Sequence, residues 1–227
     1  MAALAVSLKR AVLCAALLLC WTVSSGMTDE AAERQLVVAA INGNIDGVRA
    51  ALRNGASINV RDSRGRTPLL IATHADNVEM ARVLIAAGAD VNAKDHIEDS
   101  AYLYAGAEGR NEILRMTLEA GADLKSTNRY GGTALIPAAH HGHPETVAIL
   151  LRTRIDKDHV NKLGWTALLE AVILGDGGPT YARIVQMLVK AGANPNIADR
   201  GGVTPLGHAR ARNLTEIAKI LEAAGAR

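Results

Sequence analysis

A 33-residue period dominates this sequence. Gly-Ala pairs recur at intervals of 33, 33, 71 and 33 residues, beginning at Gly55, Gly88, Gly121, Gly192 and Gly225. The long interval accommodates one period of 33 and one of 38. A second marker keeps the same spacing at Asp62, Asp95, Asn128, Asn161 and Asp199. A fixed period of this length predicts a stack of small units that bury their apolar faces against one another.

The two markers divide the chain into six units, of which the fifth carries five extra residues. Their predicted bounds are 29–61, 62–94, 95–127, 128–160, 161–198 and 199–227. In unit two, Asp62 and Gly65 favour a tight turn, and Thr67 is a good helix N-cap with Pro68 at the first helical position. Two helices of apolar periodicity follow, and Gly88 ends the second helix. The predicted fold class is therefore all-α, with one helix-turn-helix per unit.

Several short motifs resemble the ankyrin repeat: Thr67-Pro68-Leu69, Thr204-Pro205-Leu206, Gly142-His143 and Gly88-Ala89-Asp90-Val91-Asn92. The resemblance covers residues 29–227. It implies an α-solenoid of about six units with β-hairpin fingers along one edge. It also implies a concave face that binds a partner protein, which makes the chain an interaction scaffold and not an enzyme. We find no GxSxG, P-loop or HExxH motif, in line with that expectation.

The stretch from Asn128 to Gly178 is similar to small exported bacterial ankyrin-repeat proteins. The segments that carry this similarity are Asn128-Arg-Tyr-Gly-Gly-Thr-Ala-Leu, Leu163-Gly-Trp-Thr-Ala-Leu-Leu-Glu-Ala-Val and Gly175-Asp-Gly-Gly. Some exported proteins of this kind accompany a catalase. The resemblance therefore extends to support of a periplasmic stress-response enzyme, although no residue in the stretch identifies that role.

Residues 1–26 have the order of a secretory signal peptide. Lys9 and Arg10 precede an apolar run from Ala11 to Cys20, and small residues follow at Ser24-Ser25-Gly26. The run is too short for a membrane span, which needs about 20 residues. Two other interpretations stay open: a lipoprotein site at Cys20, and a true start at Met27. With cleavage, the ankyrin-repeat domain comprises residues 27–227 and is expected to be periplasmic or secreted, without a stable membrane span.

Removal of residues 1–26 also changes the charge and the thiol content. That segment carries two basic residues and no acidic ones, which leaves 23 of each sign in the rest of the chain. A neutral domain lacks long-range attraction for phosphate backbones, so nucleic acid is not an expected partner. Both cysteines, Cys14 and Cys20, lie in the same segment, which excludes a disulfide from the remainder. We expect a monomeric protein without cofactor that binds another protein of unknown identity.

Candidate partner-binding residues concentrate in units four and five. The ankyrin pattern places variable positions on the fingers and at the end of the first helix. In units four and five these positions are Arg129, Tyr130, Lys162, Leu163, Trp165, His140, His141, Ile173 and Leu174, of which Tyr130, Lys162, Trp165, His140 and His141 are the binding candidates. Tyr130 and Trp165 suit a binding hot spot, but they also suit packing between adjacent fingers. Asp176 joins the candidates because it lies in the insertion.

The insertion at Gly175–Tyr181 contains three glycines and Pro179, a composition that predicts a loop and not a longer helix. The insertion has two interpretations: a functional loop at the rim of the groove, or a surface insertion that the fold tolerates. The alternative function is a small-molecule or metal-binding protein that uses the groove between units four and five. The available ligands would be His140, His141, His143, Glu170 and Asp176, yet adjacent residues point to different sides of a helix, so no metal site is expected.

Unit three departs furthest from the repeat pattern. Glu98 stands where the turn glycine belongs, and Thr117 stands at a core position of the second helix. In an array whose units contact only their neighbours, such a unit is predicted to be the weakest link.

The signal-peptide assignment makes a direct prediction. N-terminal sequencing of the natural protein should begin near Gly26 or Met27, because the small residues before that point suit a signal peptidase. Recovery of the intact chain, still starting at Met1, from the cytoplasm would contradict export with cleavage.

Overall fold

The structure is a computed structural model that describes residues 30–227, and the predicted signal peptide lies outside these residues. The all-helical prediction is confirmed. Helix α1 covers residues 30–41, and eleven more follow in chain order. They are α2 (Ile45–Arg53), α3 (Pro68–His74), α4 (Val78–Ala86), α5 (Ala101–Ala107), α6 (Asn111–Glu119), α7 (Leu135–His140), α8 (Pro144–Leu151), α9 (Ala167–Leu174), α10 (Pro179–Lys190), α11 (Pro205–Ala211) and α12 (Thr215–Ala223).

The helices form the two layers of a solenoid, each unit supplying a first and a second helix. In the first layer α3, α5, α7, α9 and α11 pack side by side, and in the second α4, α6, α8, α10 and α12 do the same. Fully buried alanines recur in the first helices at Ala72, Ala105, Ala138, Ala171 and Ala209. These small side chains let neighbouring helices approach closely, which explains the alanine-rich and Phe-free composition. No helix within residues 30–227 is long and apolar enough to cross a membrane.

The first helices α3, α9 and α11 start directly after a threonine N-cap, whereas α7 starts one residue later than the same pattern places it and has no side-chain cap. Thr67 is extended, and its hydroxyl accepts a hydrogen bond from the Leu70 amide at 3.2 Å, while Pro68 takes the first helical position. Thr166 and Thr204 cap α9 and α11 in the same way. The caps satisfy amides that a helix N-terminus otherwise leaves without an intrahelical partner.

The fingers are tight turns built on the recurring Asp or Asn. In unit two the Asp62 carboxylate accepts hydrogen bonds from the Arg64 and Arg66 amides, both at 2.9 Å. Asp95, Asn128, Asn161 and Asp199 do the same for the two corresponding amides of their own units. The β-hairpin detail of the expectation is not seen: within residues 30–227 the fingers are hydrogen-bonded turns without assigned strands.

The insertion in unit five corrects one expectation. Only residues 175–178 form a loop, and α10 begins at Pro179 and runs for 12 residues, so the extra sequence does lengthen a helix. The prediction gave Pro179 the role of a helix breaker, but proline is well suited to the first helical turn, where its missing N–H is not needed. The short loop is tied down by Arg212, which donates to the backbone carbonyls of Val172 and Gly175.

A ladder of side chains links successive units along their connecting turns. The Asn59 side chain accepts from the Asp90 amide at 2.9 Å, Asn92 from Asp123, Asp158 from Asn194, and Asn196 from Arg227. Unit three has Lys125 at the equivalent position. An ammonium group carries no acceptor, so this side chain cannot form the corresponding link from unit three to unit four.

Unit three shows both strain and compensation. Glu98 adopts a φ of +65°, in the left-handed region that the other four fingers fill with glycine. Thr117 is fully buried as predicted, but its hydroxyl donates to the Leu114 carbonyl at 2.8 Å and is therefore satisfied. The Tyr102 hydroxyl is instead a buried polar group without a hydrogen-bond partner among the described residues. The strain at Glu98 and the missing Lys125 link, more than Thr117, support the prediction that this unit is the weakest.

Substituting Glu98→Gly should stabilise the protein by about 0.5–1 kcal/mol, because the left-handed conformation costs a side chain about 1–2 kcal/mol and glycine entropy offsets part of that. Glu98 is exposed, so no packing is lost. Gly202→Ala is the matched control: it has a φ of +77° with open space around the added carbon, and should destabilise. Native-state hydrogen exchange should open residues 95–127 faster than units four and five, and Glu98→Gly should slow that opening. Uniform exchange across all units, or destabilisation by Glu98→Gly, would contradict the assignment.

Candidate functional site

A concave groove of about 450 Å³ lies between the fingers of units three to five and the first helices of units two to five. Its lining comprises His74, Ile97, Asp99, Tyr104, Ala107, Glu108, Asn128, Arg129, Tyr130, Gly132, Ile136, Pro137, His140, His141, Asn161 and Glu170. This set is called the groove below.

Three of the six predicted binding residues line the groove. Tyr130 lies on the finger of unit four with 52% of its surface exposed, and His140 and His141 lie at the end of α7. The guanidinium of Arg129 sits 4.8 Å from the centre of the Tyr130 ring and 3.5 Å from the Asp99 carboxylate. This rim therefore presents an aromatic ring and a cation already in contact. The binding role of these residues stays a prediction.

The other three predicted residues lie outside the groove lining. The Lys162 amide donates to the Tyr130 carbonyl and its ammonium to the Arg129 carbonyl, which joins two adjacent fingers. Trp165 is half-buried, and its amide donates to the Asn161 side chain at 3.0 Å. Asp176 accepts from the Gly178 amide at 2.7 Å within its own loop. Lys162 thus bonds to the neighbouring finger, and Trp165 and Asp176 bond within their own turn or loop.

The histidines at the end of α7 lie closer together than the sequence argument expected. The ring centres of His140 and His141 are 4.8 Å apart, and those of His141 and His143 are 6.1 Å apart. Helix α7 ends at His140, so His141 is a C-cap residue and does not follow helical geometry. A ring nitrogen of His141 lies 2.7 Å from the Ala107 carbonyl. Within residues 30–227, no three His, Cys, Asp or Glu side chains are arranged to hold a metal ion.

Glu170 is the buried charge of the groove. It is only 5% exposed, its Oε1 accepts from Asn161 Nδ2 at 2.8 Å, and its Oε2 lies 3.5 Å from His140 Nδ1. Burial raises the pKa of Glu170 to about 7, although the Asn161 hydrogen bond opposes the shift. Burial also lowers the pKa of His140, with His141 adding to the effect. Since the two shifts oppose charging both partners, the contact is not a strong ion pair at neutral pH.

Two further groove residues were missed by sequence reasoning. His74 and Tyr104 lie on neighbouring first helices with ring centres 3.8 Å apart. Burial lowers the pKa of His74, which favours its neutral form. The sequence did contain an indication for Tyr104. It occupies the same repeat position as Ile71, Pro137, Glu170 and His208, one residue before a buried alanine, and the residue type varies at that position. Aligning that position across units would have pointed to the groove.

The insertion reaches the groove through one contact. The Tyr181 hydroxyl, in the first turn of α10, donates to the His140 carbonyl at 2.8 Å. Loop residues 175–178 are not part of the groove lining. The longer helix therefore braces the end of α7 and does not itself contribute a binding surface to this groove.

A family model described as ankyrin repeats (3 copies) matches residues 3–95 and 102–199. The chain belongs to the ankyrin repeat family. An ankyrin repeat domain from Acinetobacter baumannii AYE is 59% identical with a TM-score of 0.83, over 85% of this chain and 98% of that domain. The ankyrin repeat protein EF0377 is 44% identical with a TM-score of 0.81, and the match covers 84% of this chain and 97% of the EF0377 chain.

More distant comparisons show the same architecture. The ankyrin repeat domain of Bcl-3, described as a unique member of the IkappaB protein family, is 29% identical with a TM-score of 0.76. That match covers 85% of this ankyrin-repeat protein and 86% of the Bcl-3 domain. YahD of Escherichia coli (strain K12), which is named after ankyrin repeats, is 51% identical over 57 residues. The YahD match spans 25% of this chain and 28% of YahD, so it covers less than a third of either protein.

The raised pKa of Glu170 predicts a pH-dependent stability. The folded pKa of about 7 exceeds the reference value of 4.5, so the folded state holds this proton more tightly than the unfolded state. The resulting stabilisation is complete below pH 4.5 and is lost as the pH rises through about 7, by at most about 3 kcal/mol. Glu170→Gln keeps an acceptor for Asn161 but cannot ionise. In urea unfolding, the free energy of unfolding of Glu170→Gln should increase relative to that of the wild type as the pH rises. The exposed Glu216→Gln variant is the control and should show no such increase.

Proposed function

We propose that this ankyrin-repeat protein is a protein-binding module whose groove receives a segment of a partner protein. Ankyrin repeats are general protein–protein interaction modules. The observation that carries the proposal is that Tyr130, Arg129, His140 and Glu170, four chemically different side chains, converge on one groove. Aromatic and arginine side chains contribute a large share of binding energy at protein interfaces, and both stand at this rim.

The finer part of the proposal concerns location and partner. The signal-peptide pattern of residues 1–26 supports export to the periplasm or beyond. The resemblance of residues 128–178 to exported bacterial ankyrin-repeat proteins supports a partner that is a stress-response enzyme in the same compartment. In this role the protein is a non-enzymatic scaffold.

A small organic ligand is the second candidate occupant. The groove volume of about 450 Å³ falls in the range of roughly 300–1,000 Å³ that is common for small-molecule sites. A ligand that binds only the folded protein raises the melting temperature by mass action. A thermal-shift screen against small molecules therefore tests this candidate separately from a protein partner.

The groove proposal predicts that Tyr130→Ala will weaken binding to a partner captured from periplasmic extract. The loss should be about 2 kcal/mol, or roughly 30-fold in Kd, because an exposed aromatic at the rim is a suitable hot spot. Val203→Ala is the matched control, since Val203 is an exposed apolar residue on the finger of unit six, outside the groove. Melting temperatures of both variants should match that of the wild type.

Trp165→Ala distinguishes the two interpretations of the tryptophan. A loss of binding with an unchanged melting temperature would extend the site to the unit five finger. A fall in melting temperature would show that Trp165 packs between fingers. If Tyr130→Ala binds the partner as well as Val203→Ala does, the binding site lies elsewhere on the solenoid.

A further inference from the structure

We propose that Glu170 anchors one basic side chain, a lysine or an arginine, of the protein segment that occupies the groove. The inference rests on the proposed function and specifies the chemistry of the partner. It follows from the fixed position of a buried carboxylate, from the charges that surround it, and from the different residue types that occupy this position in the other units.

The carboxylate of Glu170 is held in one orientation by a chain of hydrogen bonds. Asn161 Oδ1 accepts from the Leu163 amide at 2.9 Å and from the Trp165 amide at 3.0 Å, which commits that oxygen to the finger turn. Asn161 must therefore present Nδ2 to Glu170, and it does so at 2.8 Å from Oε1. This leaves Oε2 beside His140, with the groove lined by both residues. A carboxylate fixed before binding loses little conformational entropy when a ligand arrives.

The basic side chains on the elements around Glu170 contact other acceptors. Arg129 faces the Asp99 carboxylate, His208 on α11 lies 2.7 Å from the Asp199 carboxylate, and Arg212 donates to the backbone carbonyls of Val172 and Gly175. On α10, the Tyr181 hydroxyl donates to the His140 carbonyl. On α7, the depressed pKa of His140 favours its neutral form. Residues 30–227 thus supply no full positive charge to balance the Glu170 carboxylate.

The acidic character of the groove complements a basic partner. Its lining contains three carboxylates, Asp99, Glu108 and Glu170, and one cationic side chain, Arg129, which contacts Asp99. A buried carboxylate that lacks a counter-charge is costly, and a hydrogen-bonded cation from a partner would offset that cost. Burial raises the pKa of Glu170 to about 7 in the free protein, and a bound cation would lower it and release a proton.

The fold itself does not require a charge at this position. The equivalent residues of the other units are Ile71, Tyr104, Pro137 and His208, all in first helices. Unit six makes an equivalent link from finger to helix, with Asp199 and His208 in place of Asn161 and Glu170. The Asn161 hydrogen bond is therefore a structural link, and a glutamine at position 170 would accept it equally well. The negative charge remains to be explained, and a cationic ligand explains it.

The test titrates the full protein with N-acetyl-arginine methylamide and follows backbone amide shifts by NMR. The matched probe is N-acetyl-citrulline methylamide, which has the same shape without the charge, and a lysine–norleucine pair extends the comparison. The basic probes should shift amides around Glu170 and should bind about tenfold more tightly at pH 8 than at pH 6. That change follows because the ionised fraction of Glu170 rises from about one-tenth to about nine-tenths around a pKa of about 7.

Glu170→Gln should remove both the preference for the charged probe and the pH dependence. Glu216→Gln removes the same charge from an exposed position on α12 and should retain both. A single cooperative melting transition in each variant would show that both fold. Equal binding of arginine and citrulline probes, or charge-selective binding that persists in Glu170→Gln, would overturn the inference.

Partner binding separates this inference from the proposed function. If Tyr130→Ala weakens partner binding and Glu170→Gln does not, the groove binds a protein but Glu170 does not anchor a basic side chain. If the basic probes depend on Glu170 while partner binding depends on neither residue, the site serves free small cations, and both proposals are wrong. Loss of partner binding in both variants, with charge-selective probe binding in the wild type, supports both.

Discussion

The burial of apolar faces between neighbouring helix pairs is the interaction on which the rest of this structure depends. No single pair encloses a core, so α5 must pack between α3 and α7, and α6 between α4 and α8. Fully buried alanines in the first helices set the close spacing of that layer. The groove exists because this stacking places the fingers of units three to five in front of one layer of first helices.

The same arrangement separates the residues that hold the fold from the residues that vary. Leu169 and Ala171 are fully buried in α9, and Glu170 between them points its carboxylate into the groove lining. Binding chemistry can therefore change at one residue per first helix while the flanking core residues stay constant. The free protein carries the cost of a buried carboxylate at this position, and it is this cost that a bound cation would relieve.

The candidate site was predictable in part. Tyr130, His140 and His141 line the groove because a residue's place within the repeat determines whether it lies on a finger or at a helix end. Trp165 and Lys162 also lie on a finger, yet neither lines the groove. Lys162 donates hydrogen bonds to the neighbouring finger of unit four, and the Trp165 amide donates to Asn161 in its own turn. Which finger residues reach the groove depends on how whole units stack. Glu170 was noticed only as an available ligand, since its burial depends on α7 and on the Asn161 turn, which sequence spacing does not reveal.

The sequence by itself determined the period, the helix pairs, the threonine caps and the Asp or Asn turns, because each depends on residues within a few positions of one another. It also located the strain at Glu98, where a turn requires a positive φ. Only the tertiary structure decided that Pro179 starts a longer α10, that three histidine rings cluster, and that Glu170 is buried with a pKa of about 7. Those features depend on contacts between units, whose geometry is set by the packing of many side chains at once.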